Sequence, residues 1–171
     1  MEKDIRQVQT EQGSAVMFNR QRRRFVFEQL FMCQFYDLDE IPQQLNNLTG
    51  NDYLLETLEN HYLPEEEIAA LKEKAARVMA LRDDLDQQID AVATGWKTTR
   101  MGKTELTLIR QALYDILYEE AIPYRVAINE AVELAKIYGG PDAPAFVNGV
   151  LGKLVRSCGL EEGVPAGNDK E

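Results

Sequence analysis

Between residues 64 and 93 the chain places Ile68, Leu71, Ala75, Val78, Leu81, Leu85, Ile89 and Val92 at intervals of three or four. That spacing closes on one face of a 3.6-residue helix and cannot be reconciled with the two-residue alternation of a half-buried strand. The segment opens on Pro64 followed by Glu65, Glu66 and Glu67, a strong helix start, because proline fits the first turn and carboxylates favour the positive end of the helix dipole. One long helix is expected to about residue 93.

The same period recurs through most of the chain and predicts an all-α protein. A first helix is expected over about residues 19–36, with Asn19 as a candidate N-cap and Phe27, Leu30, Phe31 and Gln34 close to one face. A second covers about residues 51–61, and the long helix is third. "TGWKTTRMGKT", with two glycines around the single tryptophan, is the clearest interior break and the expected boundary between two subbundles, about 18–94 and 95–157. Beyond it, Leu106, Ile109, Leu113, Ile116 and Leu117 stripe a fourth helix, and Pro123 opens a fifth that Gly139 and Gly140 close. The sixth runs from Ala145 to about Ser157. Residues 1–17 and 158–171 are polar, lack periodicity and are expected to be flexible, the latter as an acidic tail.

A chain of 171 residues with 44% hydrophobic content is long enough to bury a core without staples. Cys33 and Cys158 form no CxxC and have no nearby histidine pairing, which argues against a disulfide framework or a zinc site. No window approaches the roughly 18 apolar residues of a membrane span, and no secretory leader is evident, so a cytoplasmic location is expected. GxGxxG, P-loop, GxSxG and HExxH patterns are missing. The one histidine, His61, has no partner motif, and the carboxylates sit on helix starts and exposed faces, so no catalytic constellation, metal site or cofactor is expected.

One stretch departs from the overall charge. The chain has 29 acidic and 19 basic side chains, for a formal net charge of -10, yet "NRQRRRFVFEQLF" holds Arg20, Arg22, Arg23 and Arg24 within five residues. Placed at a helix start these cations oppose the dipole. Two readings stand: a solvated charge run, or a polyanion site where arginine forks and the helix end address the same phosphates. Phe31, Phe35 and Tyr36 nearby could offer stacking surfaces to unpaired bases, or belong to the core.

The longest ordered motif lies downstream. "IPYRVAINEAVELAKIYGGPDAPAFVNGVLGKLVR", residues 122–156, closely resembles the C-terminal signature of the transcription antitermination factor NusB family. "GKTELTLIRQALYDIL" and the arginine-rich "RRRFVFEQLFMCQF" resemble the family's preceding helix and its first helix, so the likeness spans about residues 19–156. Much of the signature has a structural logic: Pro123 and Gly139 bound a helix, Gly149 allows close packing, and Asn129 and Asn148 are expected to hydrogen-bond backbone near helix ends.

The resemblance implies two three-helix bundles set roughly perpendicular. It also implies a non-enzymatic factor that binds boxA-type single-stranded RNA of ribosomal RNA leaders together with the NusE ribosomal protein, within the transcription elongation complex. Carried over by position, the RNA-binding residues are Arg20, Arg22, Arg23, Arg24, Phe31, Gln34, Asp142 and Phe146, and the partner-binding residues are Glu105, Arg110 and Tyr114. Two positions differ from the common pattern: Ala143-Pro144-Ala145 stands where many relatives have a Ser-His-Lys-like run, and Phe31 where a tyrosine is common. Weak RNA binding alone and tighter binding with NusE follow. Alternatives are a protein-only scaffold or homodimer, and an accessory helical domain related to ribosomal RNA methyltransferases; the second is disfavoured because about fifteen residues follow "GKLVR".

Overall fold

The computed structural model describes residues 5–47 and 64–160. The described residues hold helices and turns and no strand. In chain order the helices are α1 (Ile5–Cys33), α2 (Ile41–Asn47), α3 (Glu65–Ala80), α4 (Arg82–Val92), a short 3-10 turn (Thr98–Arg100), α5 (Lys103–Tyr118), α6 (Tyr124–Tyr138) and α7 (Ala143–Ser157). The expected helix over 51–61 and its His61 lie outside the described residues. The chain divides into two compact units, Met1–Leu81 and Arg82–Glu171.

In the first unit α1 packs against α3, and α2 touches both. Phe25, Val26, Phe27, Leu30 and Cys33 of α1 are buried, as are Ile41 and Leu45 of α2 and Ile68, Ala75, Val78 and Met79 of α3. Helix α1 begins at Ile5, well before Asn19. Asn19 is therefore a mid-helix residue, and the arginines that follow it do not sit at a helix end, which removes both the supposed conflict with the dipole and the helix-end contribution to a phosphate site. The helical start also replaces the flexible segment expected through residue 17, as far back as residue 5.

The long helix expected over 64–93 is two helices. Leu81 caps α3 with φ -97° and ψ 7°, and α4 restarts at once with Asp83 and Asp84 in its first turn, where carboxylates stabilise exposed N–H groups. The division between units falls at this joint, earlier than the expected break near residue 94.

In the second unit α5 is enclosed: every side chain from 106 to 115 is buried, polar ones included. It packs against α4, α6 and α7, and α7 also lies against α6 and α4. Pro64 and Pro123 hold extended cap positions before α3 and α6, the role expected of each. Helix α7 starts two residues earlier than its apolar stripe, with Pro144 in its first turn. It ends in a Schellman arrangement: Leu160 N–H donates to Val155 O at 3.2 Å and Gly159 N–H to Arg156 O at 3.1 Å, with Gly159 at φ 68°, a conformation that favours glycine.

Candidate nucleic-acid and partner surfaces

The arginine stretch lies in the middle of α1, where the helix passes from polar surface to core. Arg20, Arg22, Arg23 and Arg24 are all half-buried. Their guanidinium groups already have protein neighbours. Arg22 Nη2 donates to Glu67 Oε1 of α3 at 2.6 Å and its Nη1 to Asn19 Oδ1 at 3.4 Å, while Arg24 Nε donates to Glu28 Oε1 one turn on at 3.3 Å. Helical spacing puts Arg20, Arg24 and Phe31 on one side of α1, and Phe35 follows in the turn just beyond its end at Cys33. Phe31 is half-buried and packs on Phe27 at a centroid distance of 6.0 Å and edge-on against Phe35 at 5.6 Å. Phe35 is the ring that reaches water, at 61% exposure. Gln34 is half-buried in the turn that follows α1. A backbone phosphate and a neighbouring base could therefore be met along one helix side, the first by a guanidinium and the second by a ring face.

The second unit sorts its expected site residues into interior and surface. Arg110 is interior. Its Nε and Nη2 hold both oxygens of Asp86 on α4, at 2.7 and 2.6 Å, with the guanidinium side chain only 10% exposed. Tyr114 is also buried, with its ring 5.2 Å from that of Tyr118. Both read from sequence as partner contacts, yet the fold uses them to join α4 to α5 and to fill the core. Periodicity could not show this, because Thr107, Arg110, Gln111 and Asp115 recur at helical spacing as a polar face would, and the fold buries that face.

Glu105, Asp142 and Phe146 stay accessible. They line one open depression of about 410 Å³, together with Trp96, Gly102 and Ala143. The family resemblance implies a protein partner for Glu105 and RNA for the other two; the structure brings all three to one place. Trp96, in the sequence only the mark of a chain break, supplies an exposed ring with the Arg100 guanidinium 4.9 Å from its centroid. Its loop is fastened to α4. Thr98 N–H and Oγ1 donate to the two Asp90 carboxylate oxygens at 2.7 and 3.1 Å, and Lys97 Nζ donates to Asp90 O at 2.8 Å. The Glu105 carboxylate lies against Gly102, where a Cβ would stand. Two carboxylates beside two aromatic rings accept N–H donors and stack planar groups; they do not attract phosphate.

Asn129 and Asn148 are exposed and make no side-chain hydrogen bond among the described residues, so the expected backbone bonds are not formed. A Cβ at Gly149 would meet nothing within 4 Å among the described residues, so close packing among them does not explain that glycine either. Cys33 is buried and its thiol is pushed up to about 11 by desolvation, while Cys158 is exposed. Among the described residues there is no cluster of His, Cys, Asp and Glu suited to a metal ion, and no helix long and apolar enough to cross a membrane.

The NusB family model matches residues 20–156. The transcription antitermination protein NusB of Agathobacter rectalis is 44% identical over 132 residues, covering 77% of this chain and 95% of that protein. Its counterpart in Clostridium novyi is 34% identical over 140 residues, covering 81% and 99%. The solved structure of T. maritima NusB superposes with a TM-score of 0.58 at 29% identity, over 85% of this chain and 92% of that one. The family match runs from the arginine stretch to the end of the C-terminal signature, and the chain belongs to the NusB family.

Proposed function

We propose that the protein is a transcription antitermination factor that binds boxA-type single-stranded RNA of ribosomal RNA leaders together with the NusE ribosomal protein, helping RNA polymerase resist termination. Its activity is binding, without catalysis. The observation that carries this reading is the side of α1 on which Arg20 and Arg24 lead to Phe31, with Phe35 edge-on against that ring just past the helix end, a pairing of cations and rings suited to an unpaired strand. Arg22, Arg23 and Gln34 flank that side. In the second unit Asp142 and Phe146 meet a base of the RNA, by accepting an N–H and by stacking, and Glu105 faces a basic group of NusE. Arg110 and Tyr114 support the partner surface from beneath, by holding α5 in place.

The test is a fluorescence-anisotropy titration of a boxA-like RNA with and without NusE. Weak binding by the protein alone and tighter binding with NusE are expected. The triple variant Arg22→Ala, Arg23→Ala, Arg24→Ala is expected to lose about tenfold or more in affinity at moderate salt, since each lost phosphate contact reduces counterion release. Wild-type binding by that variant overturns the α1 site.

A further inference from the structure

Arg22 is tied to a carboxylate brought from elsewhere in the fold. Glu67 lies 45 residues away in the first turn of α3, and its Oε1 accepts from Arg22 Nη2 at 2.6 Å. The pair is about one-third exposed on each side, 32% for Arg22 and 36% for Glu67. An ion pair this exposed contributes little stability. The other carboxylate oxygen of Glu67 is enclosed and has no hydrogen-bond partner among the described residues, which opposes the contact, because a buried acceptor left unsatisfied costs desolvation energy. The arrangement therefore places a full negative charge on the fork of a proposed phosphate-binding arginine, at small net gain to the fold. Glu67 has somewhere else to go: the N-terminal turn of α3 favours a carboxylate whether or not Arg22 is present.

We propose that Glu67 is a built-in counter-ion of the arginine patch, holding the Arg22 guanidinium until an RNA phosphate displaces it. This rests on the reading that the α1 arginines bind RNA. The same group of charges has a second, weaker instance in Arg24 and Glu28, but those two residues are neighbours on one helix at 3.3 Å, whereas Glu67 reaches across from another element. Displacement has a thermodynamic signature. The phosphate still loses its condensed cation when Arg22 takes it, but displacement also frees the Glu67 carboxylate, which regathers a cation, so the wild-type salt dependence is shallower than its arginines would give.

The test compares wild type, Glu67→Gln and Glu73→Gln for binding of a boxA-like RNA between about 50 and 200 mM salt. Glu73 is an exposed acid on the same helix and controls for net charge. Glu67→Gln is expected to bind about two- to fivefold tighter, the range an exposed ion pair can supply, and to steepen the log–log salt slope by about 0.7, while Glu73→Gln matches wild type. Unchanged or weaker binding by Glu67→Gln, or an equal gain in Glu73→Gln, overturns the proposal. Phenylglyoxal labelling with peptide mapping reads the contact without RNA: Arg22 is expected to react faster in Glu67→Gln, and equal rates overturn the latch. If instead Arg22 labels faster but the Arg22, Arg23, Arg24→Ala variant binds RNA like wild type, the latch exists and the RNA reading of the patch is what fails.

Discussion

Arg110 meets Asp86 through two parallel hydrogen bonds at 2.7 and 2.6 Å inside the second unit. Removing one member of such a pair leaves the other charge stranded, at a cost of about 3 kcal/mol or more. Arg110→Ala is therefore expected to lower urea-unfolding stability by about that amount, whereas loss of partner binding with unchanged stability would return Arg110 to the surface role its sequence position suggested. Cys33 gives a second prediction. Its folded-state pKa of about 11 lies above the ordinary thiol value of 9.0, so unfolded chains lose the proton first as pH rises. The stability this contributes is complete below about pH 9 and is lost between about pH 9 and 11. A Cys33→Ser variant should flatten that alkaline decline in stability, and near neutral pH a thiol reagent should modify Cys158 quickly and Cys33 only on unfolding. What the sequence concealed here is burial: residue type marks Arg110 as a surface cation, and nothing local announces that Asp86, 24 positions earlier, will enclose it.

Helix boundaries follow a different logic, because they depend on what the next turn can satisfy. The 3.6-residue period ran unbroken through Leu81, so it marked the helical segment correctly and missed the joint; the signal available was Asp83-Asp84, two acids suited to a helix start in the middle of a stripe. The start of α1 was hidden for the opposite reason, since its early turns lack an apolar stripe. Glycines sharpen the lesson. Gly139 has φ -96° and needs no left-handed freedom; a Cβ there would press on Ala143 Cβ and on Ala135 O, so the requirement is space between α6 and α7. Gly139→Ala is expected to destabilise by about 1–3 kcal/mol, as overpacking does. Gly140→Ala, with nothing within 4 Å, should be close to neutral and serves as its control in the same thermal melts. Gly149 lies open inside α7, so Gly149→Ala is expected to stabilise by about 0.5–1 kcal/mol through helix propensity. A loss of stability there would mean that its close-packing role, expected from the signature, is real.

At the scale of the whole molecule the net charge of -10 and the arginine patch act on RNA with opposite sign, and salt separates them by range. Near 0.1 M ionic strength the screening length is about 10 Å, so an approaching strand senses the patch and little of the remaining acidic surface. Near 0.01 M it is about 30 Å, and the summed negative charge repels the strand before the arginines engage it. Affinity for a boxA-like RNA should therefore fall with salt above about 0.1 M, as phosphate binding requires, yet flatten or turn over as salt drops toward 0.01 M. Anisotropy titrations across that range check this directly. A single straight log–log line down to the lowest salt would show that the acidic excess is too distant to matter. A basic partner should move the turnover to lower salt by offsetting the same charge, which gives the proposed tighter binding with NusE a physical basis that requires no conformational change in either protein.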